Sequence, residues 1–428
     1  MPGFLAPYRV LDLTDERGLL AGHMFAQLGA DVLQVEPPGG SPARAIGPFA
    51  PDAPTSSLFW SAYAAGKRGM VLDASADSGR ALLRRLIERA DFLIESADRP
   101  QRLAWDLEPA RTLEVNPALV HVTVSAFGID GPKAGYAATD LTVWAAGGPL
   151  LPSRDGTRPP VRITVPQAWS NAAADAAGGA LIAHFARVDS GLGQHVDVSA
   201  QQSAALCTLG QSLAAPFGHA GFSITAAASV EAKKGRKKEL DLSGSGARTR
   251  RSKWQVRDGL VEMHIGIGPA SGRFSNNLFR WMHAEGACED DIAAWDWIAL
   301  PQRILSEEIG EDDLDRARDA VARFFARFTK EELLLKSMEH RFLCAPIATT
   351  RDLLDSRQLR ARGYFQTVVE PSGAQRTLPG NFAAGVVDGF VPLAPAPAPG
   401  QHTDAVLREW LGETDAGIAT LRAAGAVA

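Results

Sequence analysis

Apolar and polar positions in the first 125 residues fall into two alternating kinds of block. Arg9-Val-Leu-Asp-Leu13 is a short apolar run, followed by the polar turn Thr14-Asp-Glu-Arg-Gly18 and a helical stretch through Leu28 that ends at Gly29. Asp31-Val-Leu-Gln-Val-Glu36 reads as a second strand, closed by Pro37-Pro-Gly-Gly40. Strand, helix and strand within about 30 residues form a βαβ unit, which closes right-handed into a parallel sheet. The pattern repeats. Gly69–Asp73 reads as a strand, and Ala81–Ala90 carries Leu82, Leu83, Leu86 and Ile87 as a helical stripe, with Arg84, Arg85 and Glu88 outside it. Asp91–Glu95 and Leu119–Val124 supply two more strands. In such α/β sheets the ligand sits beyond the carboxyl ends of the strands, here the loops 14–18, 36–44, 95–102 and 125–138.

The stretch Pro166–Ser199 is organised differently. An Ala-rich run without proline continues to Arg187, predicting a helix of about 17 residues that Ser170 or Asn171 can cap. Its small residues allow another backbone to lie close. Gly191 and Gly193 turn the chain, and His195-Val-Asp-Val-Ser199 alternates like a strand.

From Ser223 to Lys253 lysine and arginine outnumber Glu239 and Asp241, and Ser243-Gly-Ser-Gly246 lies within the stretch. Two readings stand: a solvated linker, or cations and glycine backbone that contact phosphates. Trp254–Ile265 predicts two strands around the Asp258-Gly259 turn, and Leu314–Phe328 a helix burying Leu314, Val321, Phe324 and Phe325. The expected organisation is therefore a large domain over 1–222, a basic linker over 223–253 and a small α/β domain over 254–345. A return segment over 346–428, with an extended Pro392–Pro399 and a helix from Thr403 to Gly412, completes the large domain.

Composition narrows the class. With 428 residues, 46% hydrophobic and 22% charged, the chain reads as a soluble globular protein of two or three domains. A net charge of −5 gives no general attraction to nucleic acid or membrane. Cys207, Cys288 and Cys344 are far apart, which argues against a disulfide framework or a metal site and for a reducing cytoplasm. Neither a leader peptide nor an apolar run long enough for a membrane span is expected. A G-x-G-x-x-G after the first strand and a G-x-x-x-x-G-K-[ST] are both missing, which lowers the case for a dinucleotide or nucleoside triphosphate.

The order of short motifs along nearly the whole chain resembles the class III CoA transferases. They are Val10-Leu-Asp-Leu-Thr14, Leu28-Gly-Ala-Asp-Val32, Glu36-Pro-Pro-Gly-Gly40, Gly66-Lys-Arg68, Ala90–Glu95, Ala126-Phe-Gly-x-x-Gly-Pro132, Gly191-x-Gly-Gln-His-Val-Asp-Val198, Cys344-Ala-Pro346 and Pro397–Asp404. The resemblance implies an open, mostly parallel Rossmann-like sheet in the large domain, a smaller α/β domain and an interlocked, ring-like dimer. It also implies coenzyme A on the large domain, with acyl-CoA and a carboxylic acid as substrates and without a metal. The residues placed near CoA by this resemblance are Arg44, Lys67, Arg68, Ser96, Ala97, Arg99, Arg102 and Lys133; arginine and lysine suit phosphate as charged donors.

The resemblance also implies an aspartate at the start of the Ala-rich helix, which takes up the acyl group as a mixed anhydride. That position holds Trp169. An indole can neither attack a thioester nor carry an acyl group. Ser96-Ala97 stands where relatives often have Asn-Phe, and Asp15-Glu-Arg-Gly18 where they have an uncharged turn. Other carboxylates weighed are Asp175, nearly two turns along; Asp140, a helper position in some relatives or a helix cap; and Glu16, an acid/base candidate or a solvated loop residue. The family includes heteromeric enzymes, benzylsuccinate CoA-transferase among them, in which a chain lacking the aspartate pairs with a paralogue bearing it. Asp15–Gly18 and Leu58-Phe-Trp-x-Ala-Tyr63 are similar to the former kind. The expected function is such an aspartate-lacking subunit. The alternatives are a self-sufficient transferase, racemase, isomerase or lyase using a carboxylate such as Asp175, and a non-enzymatic CoA-binding protein. Homodimer and heterodimer both stay open.

Overall fold

The computed structural model describes residues 3–150, 159–163, 165–214, 216, 252–383 and 389–428. Contacts divide the chain into two compact units, Met1–Phe217 with Arg360–Ala428, and Gly218–Leu359. The basic stretch expected as a linker over 223–253 lies outside the described residues but for Ser252 and Lys253.

In the first unit, β1 (Arg9–Leu13), α1 (Leu19–Gln27), β2 (Asp31–Glu36), β3 (Arg68–Val71), α2 (Asp77–Ile87) and β4 (Phe92–Glu95) follow the predicted alternation. The chain continues through α3 (Arg99–Ala104), α4 (Pro109–Val115), β5 (Val120–Ser125), α5 (Asp140–Ala146), α6 (Ala168–Ser190) and β6 (Gln194–Ser199). The six strands pair in the order β3-β2-β1-β4-β5-β6, every pair parallel. Successive strand residues face opposite sides, so the sheet is covered twice. Val10, Phe92, Val120 and Val122 are buried with Phe25 of α1 and Ala172 and Ala176 of α6. Leu11, Leu33, Met70 and Leu93 are buried with Leu82, Leu83 and Leu86 of α2.

The Ala-rich helix is longer than its predicted 17 residues, running 23 residues to Ser190. It ends where Gly191 takes φ 71°, a left-handed conformation that glycine adopts without steric cost. Six alanines of α6 between Ala172 and Ala183 are buried. The segment 360–428 adds the hairpin β10 (Phe365–Val369) and β11 (Gln375–Pro379), then α10 (Thr403–Leu411) and α11 (Asp415–Ala423), once the small unit's strands β7 to β9 are counted in chain order. Val406, Leu407 and Trp410 of α10 join the α2 side of the core.

The second unit has β7 (Lys253–Val256) and β8 (Gly259–Glu262) as an antiparallel hairpin, with β9 (Ala345–Ile347) on the other edge of β8. With α7 (Gly272–Ala284), α8 (Glu311–Phe325) and α9 (Lys330–His340) it encloses an aromatic core around Trp254, Trp281, Trp297, Phe324 and Phe325. Pro346 and Ile347 pair with Val261 and Leu260, so this unit runs past residue 345, the expected limit, to Leu359.

Candidate active site

At the carboxyl edge of the sheet the turn after β1 is anchored from below. Asp12, fully buried, accepts hydrogen bonds from the backbone N–H and hydroxyl of Thr14 at 2.9 and 2.6 Å. Lys67 Nζ donates to Asp12 Oδ2 at 2.8 Å, Gln34 Oε1 at 2.9 Å and the Leu19 carbonyl at 3.0 Å. Those three bonds use all of its N–H groups. A Cβ on Gly22 would lie 1.9 Å from Asp12 Oδ2, so only glycine lets α1 pass this ion pair. Lys67 is thus a buried tether of the turn and has no donor left for a phosphate, contrary to its expected role.

Above this root, Asp15 holds Arg17 through both carboxylate oxygens, at 2.6 to 3.0 Å. Ser96 Oγ donates to Asp15 Oδ1 and accepts from the Asp15 N–H, both at 3.0 Å, which joins the ends of β1 and β4. Glu36 accepts from Arg44 at 2.6 and 2.7 Å and from the Ser41 N–H at 2.8 Å. A cavity of about 120 Å³ lies between these turns, with Val35, Leu72 and Trp105 as apolar walls and Ser41, Ser96 and Gln101 as polar ones. Glu16 is exposed beside it; local desolvation and the neighbouring Asp15 carboxylate raise its carboxyl above the ordinary glutamate range.

Of the expected CoA contacts, the structure gathers Ser96 and Ala97 around this cavity. Arg44 stands behind it, spent on Glu36 and on the Pro397 carbonyl at 2.8 Å and packed over Trp60 at 3.9 Å. Arg102 is buried, within 3.9 Å of Glu95 and 3.4 Å of Glu108. Arg68 begins β3, at the opposite, amino edge of the sheet, and pairs with Asp31 and Glu409. That separates it from the cavity. Arg99 and Lys133 are exposed, the latter with Nζ 5.5 Å from the Phe127 ring. Arg17 and Trp105 line the cavity and were not among the expected residues. The charged turn 15–18 was a usable signal for Arg17, whereas Trp105 follows a short helix with nothing local to mark it.

The start of α6 is built otherwise. Trp169, its second residue, is 7% exposed and packs in the core that includes Val143 and Trp144 of α5. Asp140, the first residue of α5, turns its Oδ1 to the N–H groups of Ala168 and Trp169 at 2.8 and 3.3 Å. It therefore caps α6, while Thr139 caps α5. The expected caps Ser170 and Asn171 bond backwards instead, to the carbonyls of Pro166 and Gln167. Asp175 is exposed and has no hydrogen bond or ion pair among the described residues. Six residues on, it lies roughly 240° around the helix and about 9 Å along it from Trp169.

The model of CoA-transferase family III matches residues 5–403. The chain belongs to this family. It is 34% identical over 383 residues to the succinyl-CoA:(R)-benzylsuccinate CoA-transferase subunit BbsE of Thauera aromatica, covering 87% of this chain and 86% of that one. A formyl-CoA:oxalate CoA-transferase of Streptomyces coelicolor is 24% identical over 445 residues, 98% of each chain. The crystal structure of a CAIB/BAIF family protein from Brucella suis shares the fold, with a TM-score of 0.73 at 21% identity over 96% of this chain and 100% of that one. The α/β fold with its large parallel sheet, and membership of a family that works on CoA thioesters, agree with what the residue order implied. Among the described residues no helix is long and apolar enough to cross a membrane.

Proposed function

We propose that this chain is the CoA-binding, aspartate-lacking subunit of a CoA transferase. Its partner is a paralogue that carries the acyl-accepting aspartate, and together they exchange CoA between an acyl-CoA and a carboxylic acid. The observation that carries this reading is the start of α6, where the indole of Trp169, at the position that the resemblance gives to the acyl-accepting aspartate, is buried and the adjoining carboxylate of Asp140 caps the helix. An exposed Asp175 on another side of α6 is poorly placed to replace it. The similarity to a protein named as a subunit supports the pairing. The adenine ring of CoA is assigned to the cavity between the ends of β1, β2 and β4, where Ser41, Ser96 and Gln101 offer hydrogen bonds between apolar walls, with the rest of the ligand outside it. In the complex, the partner's carboxylate attacks the thioester carbonyl and CoA leaves as thiolate; this chain binds and orients.

The test is an assay of the purified chain with succinyl-CoA and a panel of aromatic and dicarboxylic acids, alone and mixed with an Asp-bearing paralogue. Turnover is expected only in the mixture. Turnover by the single chain, abolished in Asp175→Ala, would establish a self-sufficient enzyme; CoA binding with no turnover in any mixture would leave a non-enzymatic CoA-binding protein.

A further inference from the structure

Beneath the cavity wall formed by Ser96 and Ala97 lies a carboxylate that is bonded on one side only. Glu95, the last residue of β4, is fully buried, and its Oε2 accepts the Ala97 N–H at 2.6 Å. That bond sets the course of the chain through Ser96 and Ala97. The other oxygen, Oε1, has no hydrogen bond among the described residues. A bare carboxylate oxygen in the interior is costly, so the groups that face it decide how firmly Glu95 is held.

Arg102 Nη1 of α3 stands 3.9 Å from Oε1, but the same guanidinium lies 3.4 Å from Glu108 and 3.5 Å from the Ala97 carbonyl. His121 of β5 is fully buried, and its Nε2, 3.8 Å from Oε1, also has no hydrogen-bond partner among the described residues. His195, in register with His121 on β6, has its Nε2 3.0 Å from Thr123 Oγ1 instead. Asp197, two residues further on, accepts the Ile129 N–H at 3.0 Å.

Nε2 of His121 carries either a hydrogen or a lone pair, and the two cases have opposite signs. A lone pair would set two electron-rich atoms against each other, away from water. A hydrogen makes the contact an attraction between a polar N–H and the carboxylate charge, still short of a hydrogen bond at this distance. Thr112 Oγ1 of α4 lies 2.8 Å from Nδ1, nearer than the Pro109 carbonyl at 3.1 Å that competes for its single hydrogen. The hydroxyl thus supplies Nδ1 with a donor in the tautomer that has its ring hydrogen on Nε2.

We infer that His121 is a positioning residue of the ligand cavity: its Nε2–H steadies Glu95, and Glu95 holds the Ala97 amide. His121 is not among the residues that line the cavity and acts from the layer beneath it, through one carboxylate, on the Ser96–Ala97 wall. That the ligand is CoA rests on the function proposed above; the hydrogen on Nε2 does not.

The experiment joins NMR of the full chain labelled with nitrogen-15 to CoA titration of the wild type, His121→Gln and His121→Phe. Two-bond proton–nitrogen spectra of the wild type at pH 7 should show the hydrogen on Nε2 of His121, the signal being assigned by its loss in His121→Gln. His121→Phe should shift the Ala97 amide resonance and weaken CoA binding about tenfold, the size of one polar contact to a charged group. His121→Gln, whose side-chain amide still offers an N–H to Glu95, should recover most of that affinity. A lone pair on Nε2, as when a water molecule donates to both groups, overturns the inference. So does wild-type affinity in His121→Phe, or a loss that His121→Gln does not recover; in each of these cases the CoA reading survives. If the wild-type chain binds no CoA, that reading falls, and the Nε2 hydrogen and the Ala97 amide shift decide the inference by themselves.

Discussion

Two places at the same end of one molecule have been treated in opposite ways. At the ends of β1, β2 and β4 a buried ion pair and a set of side-chain bonds hold the turns apart around an open cavity. At the start of α6 an indole is packed into the core and a carboxylate is consumed as a cap. The first region is braced without being filled, and the second is filled. Under the proposed function, the frame that binds the ligand is kept while the position of the reacting group is closed. Packing density decides which: a core position accepts no acyl group, because interiors leave few voids larger than a water molecule.

The contrast can be broken most severely at its two anchors. Lys67→Met leaves the Asp12 carboxylate buried without its partner, and should cost about 3–5 kcal/mol in denaturant unfolding. A loss below about 1 kcal/mol would show that the turn after β1 does not depend on this tether. Trp169→Ala should likewise cost about 3–5 kcal/mol, since it opens a cavity in the core. A near-neutral result would mean that the indole stands in an open pocket.

Protonation sharpens the same contrast. His23 on α1 is buried beside the root of the turn and its pKa is lowered to about 4, chiefly by desolvation and then by Lys67. The unfolded chain binds its proton near pH 6.5, the folded chain only near 4, so stability falls as pH drops between those values. The His23 share of the loss should reach roughly 2–3 kcal/mol by pH 4, and His23→Gln should lessen the slope there without abolishing it, because His195, also lowered to about 4 by desolvation and then by His121, acts in the same window. An unchanged slope in the variant would place the acid sensitivity elsewhere. The smallest effect belongs to the cap: Asp140→Ala should cost about 1 kcal/mol, read as a shift in the denaturation midpoint with unchanged slope.

Most of the sheet was legible because its strands are apolar runs between turn residues, and the run 9–36 alone predicts a βαβ unit with nearly the observed limits. The hairpin Phe365–Val369 with Gln375–Pro379 was not, because its exposed residues dilute the alternation. Reading the site was harder for a physical reason. A cation in the sequence looks the same whether it meets solvent, a ligand or a buried acid. Lys67 and Arg44 meet acids at 2.8 and 2.6 Å, and Arg68 lies at the wrong edge of the sheet; only the parallel register separates these cases. Trp169 stands out in the sequence because the resemblance implies one defined chemical group at its position, whereas Asp140's bond to α6 crosses 28 residues and no local pattern announces it.

The central claim is that this chain carries no acyl group. It is tested most directly by incubating the purified chain with succinyl-CoA, quenching with hydroxylamine and mapping carboxyl hydroxamates by peptide mass spectrometry, with an Asp-bearing paralogue treated alongside. A hydroxamate is expected on the paralogue's aspartate and none on this chain. A hydroxamate on Asp140, Asp175 or Glu16 would contradict it.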